Sequence, residues 1–527
     1  MRPLANVLAI GALLAALASA SDPPTVNIKN GSYYGVYQET YDEDLFLGMP
    51  YAQPPVGDLR FRVPELLNTT WTDAKNATDD QWVLGNVISE DCLTINVVRP
   101  NGISEGAELP VAVWIHGGGF TEGGSRDPRY NQSYIIKEAT DAGMPFIGVS
   151  INYRLQAFGF LWGTAVKEAG VSNLGLKDQH LALHWVQENI AAFGGDPDKV
   201  TIWGESAGAM SVGYQLLAYD GRDDGLYRAA IMESGAPAKV PSTYLNTTEW
   251  DTYYNNITAA ANCSSAADTL ACLHQVPIDP LSSIFNSSVA SSASYRPIVD
   301  GDFLTDVGPA LLTAGKCPFS TEFVSFLIDT MGETEETAAI LTEVYPDIPA
   351  VGIPGMLHGR PATDSGYGVM YKRAAAYGGD VIMHAPRRYL SEIWAANDVP
   401  SYSYVFDVLT AGNNEYIGAT HFTEVAFVFY NLLGDGYNNS VATDPFLDKP
   451  DSYKQLTKVM TRMWASFIVH ENPNENGVTA LEWPEYTSDN AQNIVFDANV
   501  MEFAYIAPDT YRAEGIAYLT SLYNATA

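Results

Sequence analysis

The chain has 527 residues, of which 46% are hydrophobic, 12% aromatic and 17% charged. That is enough apolar material for a large core and too little charge for a disordered chain. With 28 basic against 62 acidic residues the formal net charge is -34, and a surface of that sign repels phosphate backbones and anionic lipid, which excludes nucleic acid as a partner.

Residues 1–20, MRPLANVLAIGALLAALASA, combine a basic residue at Arg2, an apolar stretch from Val7 to Leu17 and small residues at Ala18 and Ala20. This is the pattern of a secretory signal peptide, with cleavage expected after Ala20. No later run reaches about 18 uninterrupted apolar residues, so no integral membrane segment is expected. Ten Asn-x-Ser/Thr sequons, at Asn30, Asn68, Asn76, Asn131, Asn246, Asn256, Asn262, Asn286, Asn438 and Asn524, fit a glycoprotein secreted to the extracellular space.

Further along, PVAVWIH (Pro110 to His116), FIGVSINY (Phe146 to Tyr153), KVTIW (Lys199 to Trp203) and RAAIMESG (Arg228 to Gly235) read as buried strands of a parallel sheet. Between the second and third, LGLKDQHLALHWVQENIAAF (Leu174 to Phe193) has helical periodicity and stops at Gly194-Gly195. Strands alternating with helices predict an α/β doubly wound fold, and no repeat, linker or change in composition marks a domain boundary.

Two glycine-rich turns sit at the ends of these strands. HGGGF (His116 to Phe120) follows the first, and Gly204-Glu205-Ser206-Ala207-Gly208 follows KVTIW and precedes the helical run AMSVGYQLL. The bare G-x-S-x-G pattern is weak, but strand, turn and helix around it are the setting of a nucleophile elbow, which would expose the Ser206 hydroxyl. A serine attacking an acyl group also needs donors for the oxyanion, and backbone N–H groups of Gly118, Gly119 and Ala207 are the candidates. His180 and His184, spaced i,i+4, lack a third ligand in the pattern, so no metal and no other cofactor is expected.

Four cysteines are sparse for a secreted chain. Cys263 and Cys272 close a short loop that a disulfide would stabilise by roughly 2 to 3 kcal/mol. Cys92 and Cys317 either pair with each other or stay buried and free.

EDCLTINVVRP (Glu90 to Pro100), WIHGGGF, FGGDPDKVTIWGESAGAMS (Phe193 to Ser211) and THFTEVAFVF (Thr420 to Phe429) resemble the signature segments of the type-B carboxylesterase and lipase family, which includes cholinesterases and secreted fungal lipases. The similarity runs from about Thr25 to Tyr523. It implies an α/β-hydrolase fold, with a large, mostly parallel central sheet flanked by helices, in a single domain over 21–527. It also implies a serine esterase, a hydrolase of small-molecule or lipid esters through an acyl-enzyme, with lipase as the narrower reading. Among eight histidines, His421 alone lies in the family's late G-x-x-H-x-x-E segment, Gly418 to Glu424, which makes it the general base for Ser206.

The third member of the triad departs from the pattern. The family places a glutamate in an Asp-Glu-Gly segment, and that tripeptide does not occur here. Counting forward from Asp300-Gly301 puts the acid near Thr330, and counting back from Tyr345-Pro346 puts it near Thr305, so about 25 residues carrying a strand and the acid are expected to be absent near Cys317 to Ser320. A cysteine that normally pairs with Cys92 is missing too, and NATDDQWVLGN (Asn76 to Asn86), with Trp82, is shortened. Three explanations stand side by side: coding segments omitted from the written sequence; substitution by Glu322, Asp329, Glu333, Glu335 or Glu336; or a catalytically impaired binding or adhesion-type member of the fold.

Overall fold

The computed structural model describes residues 22–78, 89–222, 224–237, 247–290, 295–298, 300, 302–304, 323, 327, 333–362, 365–437, 439 and 442–524. The secretory signal, Trp82, Cys317, Glu322 and Asp329 lie outside them.

The chain opens with strands β1 (Thr25–Ile28), β2 (Gly31–Tyr34), β3 (Val36–Gln38), β4 (Glu43–Pro50) and β5 (Lys75–Asn76), of which β1, β2 and β5 form a small sheet. The central sheet adds β6 (Thr94–Pro100), β7 (Leu109–Ile115), β8 (Ile147–Ile151), β9 (Gly195–Glu205) and β10 (Ala229–Glu233) in the order β10-β9-β7-β8-β6-β4-β3. Neighbours among β10, β9, β7 and β8 run parallel, and β6, β4 and β3 continue the sheet antiparallel. All four segments read as strands from the sequence are strands of its parallel half. β7 and β8 are near-continuous apolar runs because helices cover both faces and neither side meets water.

Alternation along β7 divides the interior in two. Val111, Val113 and Ile115 join Leu176, Leu183 and Val186, while Ala112 and Trp114 join Ile135, Ile136, Met460 and Trp464. The covering helices are α1 (Gln132–Asp141), α2 (Leu174–Asn189), α3 (Ala207–Gly221) and α4 (Asp451–His470). α2 continues as a 3-10 turn over Ile190–Phe193 and stops at Gly194, whose φ of 90° is the left-handed conformation such a stop needs.

A second sheet holds β11 (Tyr404–Phe406), β12 (Gln492–Phe496) and β13 (Ala504–Pro508), with β11 parallel to β12 and β12 antiparallel to β13. Among the described residues no strand pairs with the outer edge of β10 or of β11. Both are half-buried along most of their length, whereas the adjacent part of β9 is fully buried. The Cys263 and Cys272 sulfurs are bonded, and Cys92 is a free thiol that burial pushes up to about 12. No helix among the described residues is long and apolar enough to cross a membrane.

Trp114 and Trp203 meet edge to face across β7 and β9, with ring centroids 4.8 Å apart, and both are fully buried. Their polar atoms differ. The Trp203 indole donates to Glu233 Oε1 at 2.6 Å, and the Trp114 indole N–H has no acceptor among the described residues. Replacement by Phe costs similar packing at both positions, but only Trp203→Phe also leaves a buried carboxyl short of a donor. Trp203→Phe is therefore expected to lower unfolding free energy by about 0.5–1.5 kcal/mol more than Trp114→Phe; urea denaturation of the two variants checks it.

Candidate active site

Ser206 occupies the single residue between β9 and α3, with φ 56° and ψ -122°. That conformation is sparsely populated for any residue with a side chain and is held by its surroundings. The Ser206 N–H donates to the Glu233 carbonyl at 2.9 Å, and the Ser206 carbonyl accepts from Met210 N at 2.9 Å, closing the first turn of α3. Space is the second restraint: a Cβ on Gly208 would overlap the Ile115 carbonyl oxygen at the end of β7, and one on Gly204 would overlap Gly208 itself. The glycines let α3 start directly against the end of the sheet, leaving the hydroxyl free at the turn.

The HGGGF loop lies beside this turn. A Cβ on Gly117 would come 3.0 Å from Ser206 Cβ. His116 anchors the loop: it is buried, its ring stacks on Tyr153 at 4.5 Å, and the Tyr153 hydroxyl donates to its carbonyl at 2.9 Å. Burial pushes His116 down to about 4, so it is a neutral structural group. Gly118 and Gly119 have φ of 98° and 63°. Among the described residues the N–H groups of Gly118, Gly119 and Ala207 have no acceptor; for Ala207 this is the ordinary orphan donor of a helix start.

His421 reaches the same point from the loop after β11. Its Nε2 lies 2.8 Å from Ser206 Oγ. The loop is braced by Asn413, whose side-chain amide donates to the Gly418 carbonyl at 3.1 Å and to Thr420 Oγ1 at 2.9 Å, and by the Arg129 guanidinium 4.5 Å over the Phe422 ring. Although 42% of the His421 side chain is exposed, desolvation lowers its pKa from the ordinary 6.5.

The carboxylate beside His421 is not one that spacing suggested. Glu205 Oε1 lies 3.2 Å from His421 Nε2, without the alignment of a hydrogen bond. No other carboxylate among the described residues is within 4.0 Å of the ring nitrogens. Glu333 instead accepts from the Tyr377 hydroxyl at 2.7 Å, and Glu335 and Glu336 form the first turn of the helix Glu335–Val344. Neither Glu322 nor Asp329 is among the described residues.

Glu205 belongs to a buried group of three carboxyls. Glu233, at the end of β10, accepts from the Trp203 and Trp464 indoles, both at 2.6 Å, and Glu424, three residues after His421, accepts from the Ser234 hydroxyl. Burial, reinforced by Glu424 and Glu233, holds Glu205 well above the usual carboxylate range. Burial and then Glu424 push Glu233 up to about 8 against its indole donors, and burial raises Glu424. Like charges this close in a dry interior share protons, so they titrate as a set. Sequence reasoning did not find Glu233. The available signal was an acidic residue closing an otherwise apolar strand, RAAIMESG.

The fold and this arrangement define an α/β-hydrolase. The chain belongs to the carboxylesterase family, whose profile matches residues 22–324 and 357–510, and it is a carboxylic ester hydrolase. It is 33% identical to Lipase 4 of Diutina rugosa over 565 aligned residues, covering 95% of this chain and 97% of that one. It is 33% identical to the secreted triacylglycerol lipase LIP1 of Gibberella zeae, covering 88% and 84%. The crystal structure of Aspergillus niger EstA superposes with a TM-score of 0.78 at 28% identity, covering 96% of this chain and 100% of that one. The unmatched stretch 325–356 includes Thr330, where the forward count places the missing acid.

Glu233 ties this site to stability. Its folded value of about 8 lies above its ordinary 4.5, so between those values unfolding releases a proton and stability falls as pH rises. Below that window both states are protonated and the effect vanishes. Glu233→Gln, which keeps the neutral form and its acceptor oxygen, is expected to flatten the decline; urea midpoints from pH 4.5 to 8 measure it.

Proposed function

We propose that the protein is a secreted enzyme in which Ser206 is the nucleophile, His421 the general base, and the N–H groups of Gly118, Gly119 and Ala207 the oxyanion hole. The observation that carries this is the 2.8 Å approach of His421 Nε2 to the hydroxyl of a serine held at a positive-φ elbow. Residues 1–20 act as the signal peptide and 21–527 as one catalytic domain, with no cofactor taking part in the ester chemistry.

In the first half-reaction the Ser206 hydroxyl gives its proton to His421 Nε2 as its oxygen bonds to the ester carbonyl carbon. The negative charge that develops on the carbonyl oxygen meets the three unspent backbone donors. The C–O bond to the alcohol then breaks, and His421 returns the proton to the leaving oxygen. Water repeats the sequence on the acyl-enzyme and frees the acid. Substrates are neutral carboxylic esters, and the triacylglycerol lipase among the relatives makes triacylglycerols the narrower class.

The test is the initial rate of the secreted protein on a chromogenic short-chain ester and on emulsified triglyceride. In a complete triad, losing the serine costs about 10⁶ and losing the acid about 10⁴, so Ser206→Ala and His421→Ala are each expected to cost at least about 100-fold, with no further loss in the double variant. Because His421 is lowered and acts neutral, the acid limb of kcat/KM is expected below pH 6.5. Triglyceride cleavage without short-ester turnover would assign a lipase. A folded protein no faster than Ser206→Ala would mark a binding member of the fold.

A further inference from the structure

His180 and His184 stand one turn apart on α2, and the fold brings them a third group that their sequence spacing lacks. Asp224, in the loop between α3 and β10, faces both. We propose that His180, His184 and Asp224 bind a divalent cation of the zinc class, with water completing the coordination.

One ligand atom from each residue lies within 4.8 Å of the other two. His180 Nε2 and Asp224 Oδ2 are 3.7 Å apart, too far for a hydrogen bond and close to the roughly 3.4 Å that separates two ligands of a tetrahedral zinc. The two imidazole rings are nearly perpendicular, with centroids 5.0 Å apart. Two imidazoles and one carboxylate suit zinc better than magnesium or calcium, which prefer all-oxygen sites.

The surroundings of His180 prepare it as a ligand. The residue is only 9% exposed, and its Nδ1 lies 3.1 Å from Gln215 Oε1. The Gln215 amide cannot be turned around, because its nitrogen donates to the Leu176 carbonyl at 3.0 Å and to Gln179 Oε1 at 3.2 Å. Nδ1 must therefore carry the proton, and the lone pair sits on Nε2, which has no hydrogen-bond partner among the described residues. Orienting a ligating imidazole through its other nitrogen is the usual outer-shell device of metal sites. Tyr219 and Phe303 wall the His180 ring edge to face, while Asp224 is exposed and gives a route in. Arg222 Nε holds Asp224 Oδ1 at 2.8 Å, leaving Oδ2 for the cation. Its charge opposes a cation, so Arg222→Ala should tighten binding.

Full-length secreted protein, stripped with a chelator and dialysed, is titrated with Zn²⁺ by calorimetry, with thermal unfolding in parallel. One zinc per chain and a raised Tm are expected, with no response to Mg²⁺. His184→Ala and Asp224→Asn should each weaken binding by at least about tenfold, while His470→Ala, at the separate pair with Glu475, should leave it unchanged. Circular dichroism verifies folding, and Asp224→Asn, on an exposed loop, carries the test if His184→Ala does not fold. The proposal is overturned by wild-type protein that shows no saturable zinc binding, or by binding that survives Asp224→Asn.

Discussion

The arrangement of the site depends on one steric fact: α3 begins in contact with the end of β7, with no side chain between them. Gly204 and Gly208 meet each other and the Ile115 carbonyl at distances no Cβ tolerates. The residue caught between strand and helix must then turn sharply, and Ser206 takes a conformation costing of order 1–3 kcal/mol, held by its bond to Glu233 and by the helix it starts. Ile115 is followed at once by His116 and the glycine loop. The contact that positions the serine thus also positions Gly118 and Gly119 beside it, and Ala207 follows because it is the first residue of α3.

Charge is organised under that fixture in an unusual way. Glu205, Glu233 and Glu424 lie in a dry region walled by Trp203 and Trp464, and with three carboxyls so close, full ionisation is prevented by burial and mutual repulsion. Protonation of one relieves the others. The group therefore acts as a shared reservoir of less than three charges, and its member nearest to His421 is Glu205.

Much of this was legible in the chain. The strands at 110–116, 146–153, 199–203 and 228–235 announced themselves because parallel strands covered on both faces are unbroken apolar runs, and α2 because its periodicity ends at a glycine. Ser206 and the positions proposed for the oxyanion donors were legible because the elbow and glycine loop are local motifs of consecutive residues, and His421 through the resemblance of Gly418 to Glu424 to a family segment. Contacts made by the fold between distant segments were not legible. Asp224 near His180 and Glu233 under Trp203 depend on how α3 and β10 return to the sheet, and no local pattern records that. Spacing also left the candidate acids unplaced: Glu333 could only be assigned to its bond with Tyr377 once the helices around it were assembled.

The separation of the sheets bears on the histidine. β10 and β11 each end a sheet with a half-buried strand, and the chain between them contains the stretch 325–356 that the family profile leaves unmatched. In a serine triad the acid binds the imidazole nitrogen away from the serine, fixing the tautomer and stabilising the positive charge. Glu205 lies against Nε2, the nitrogen already committed to Ser206 Oγ. From there it cannot hold the Nδ1 proton in place, and with its pKa held well above the usual carboxylate range it brings little charge to the ring. On the proposed roles, the orientation of His421 rests on the braced loop at Asn413 and Phe422, and such a centre hydrolyses esters more slowly than a full triad without losing the reaction.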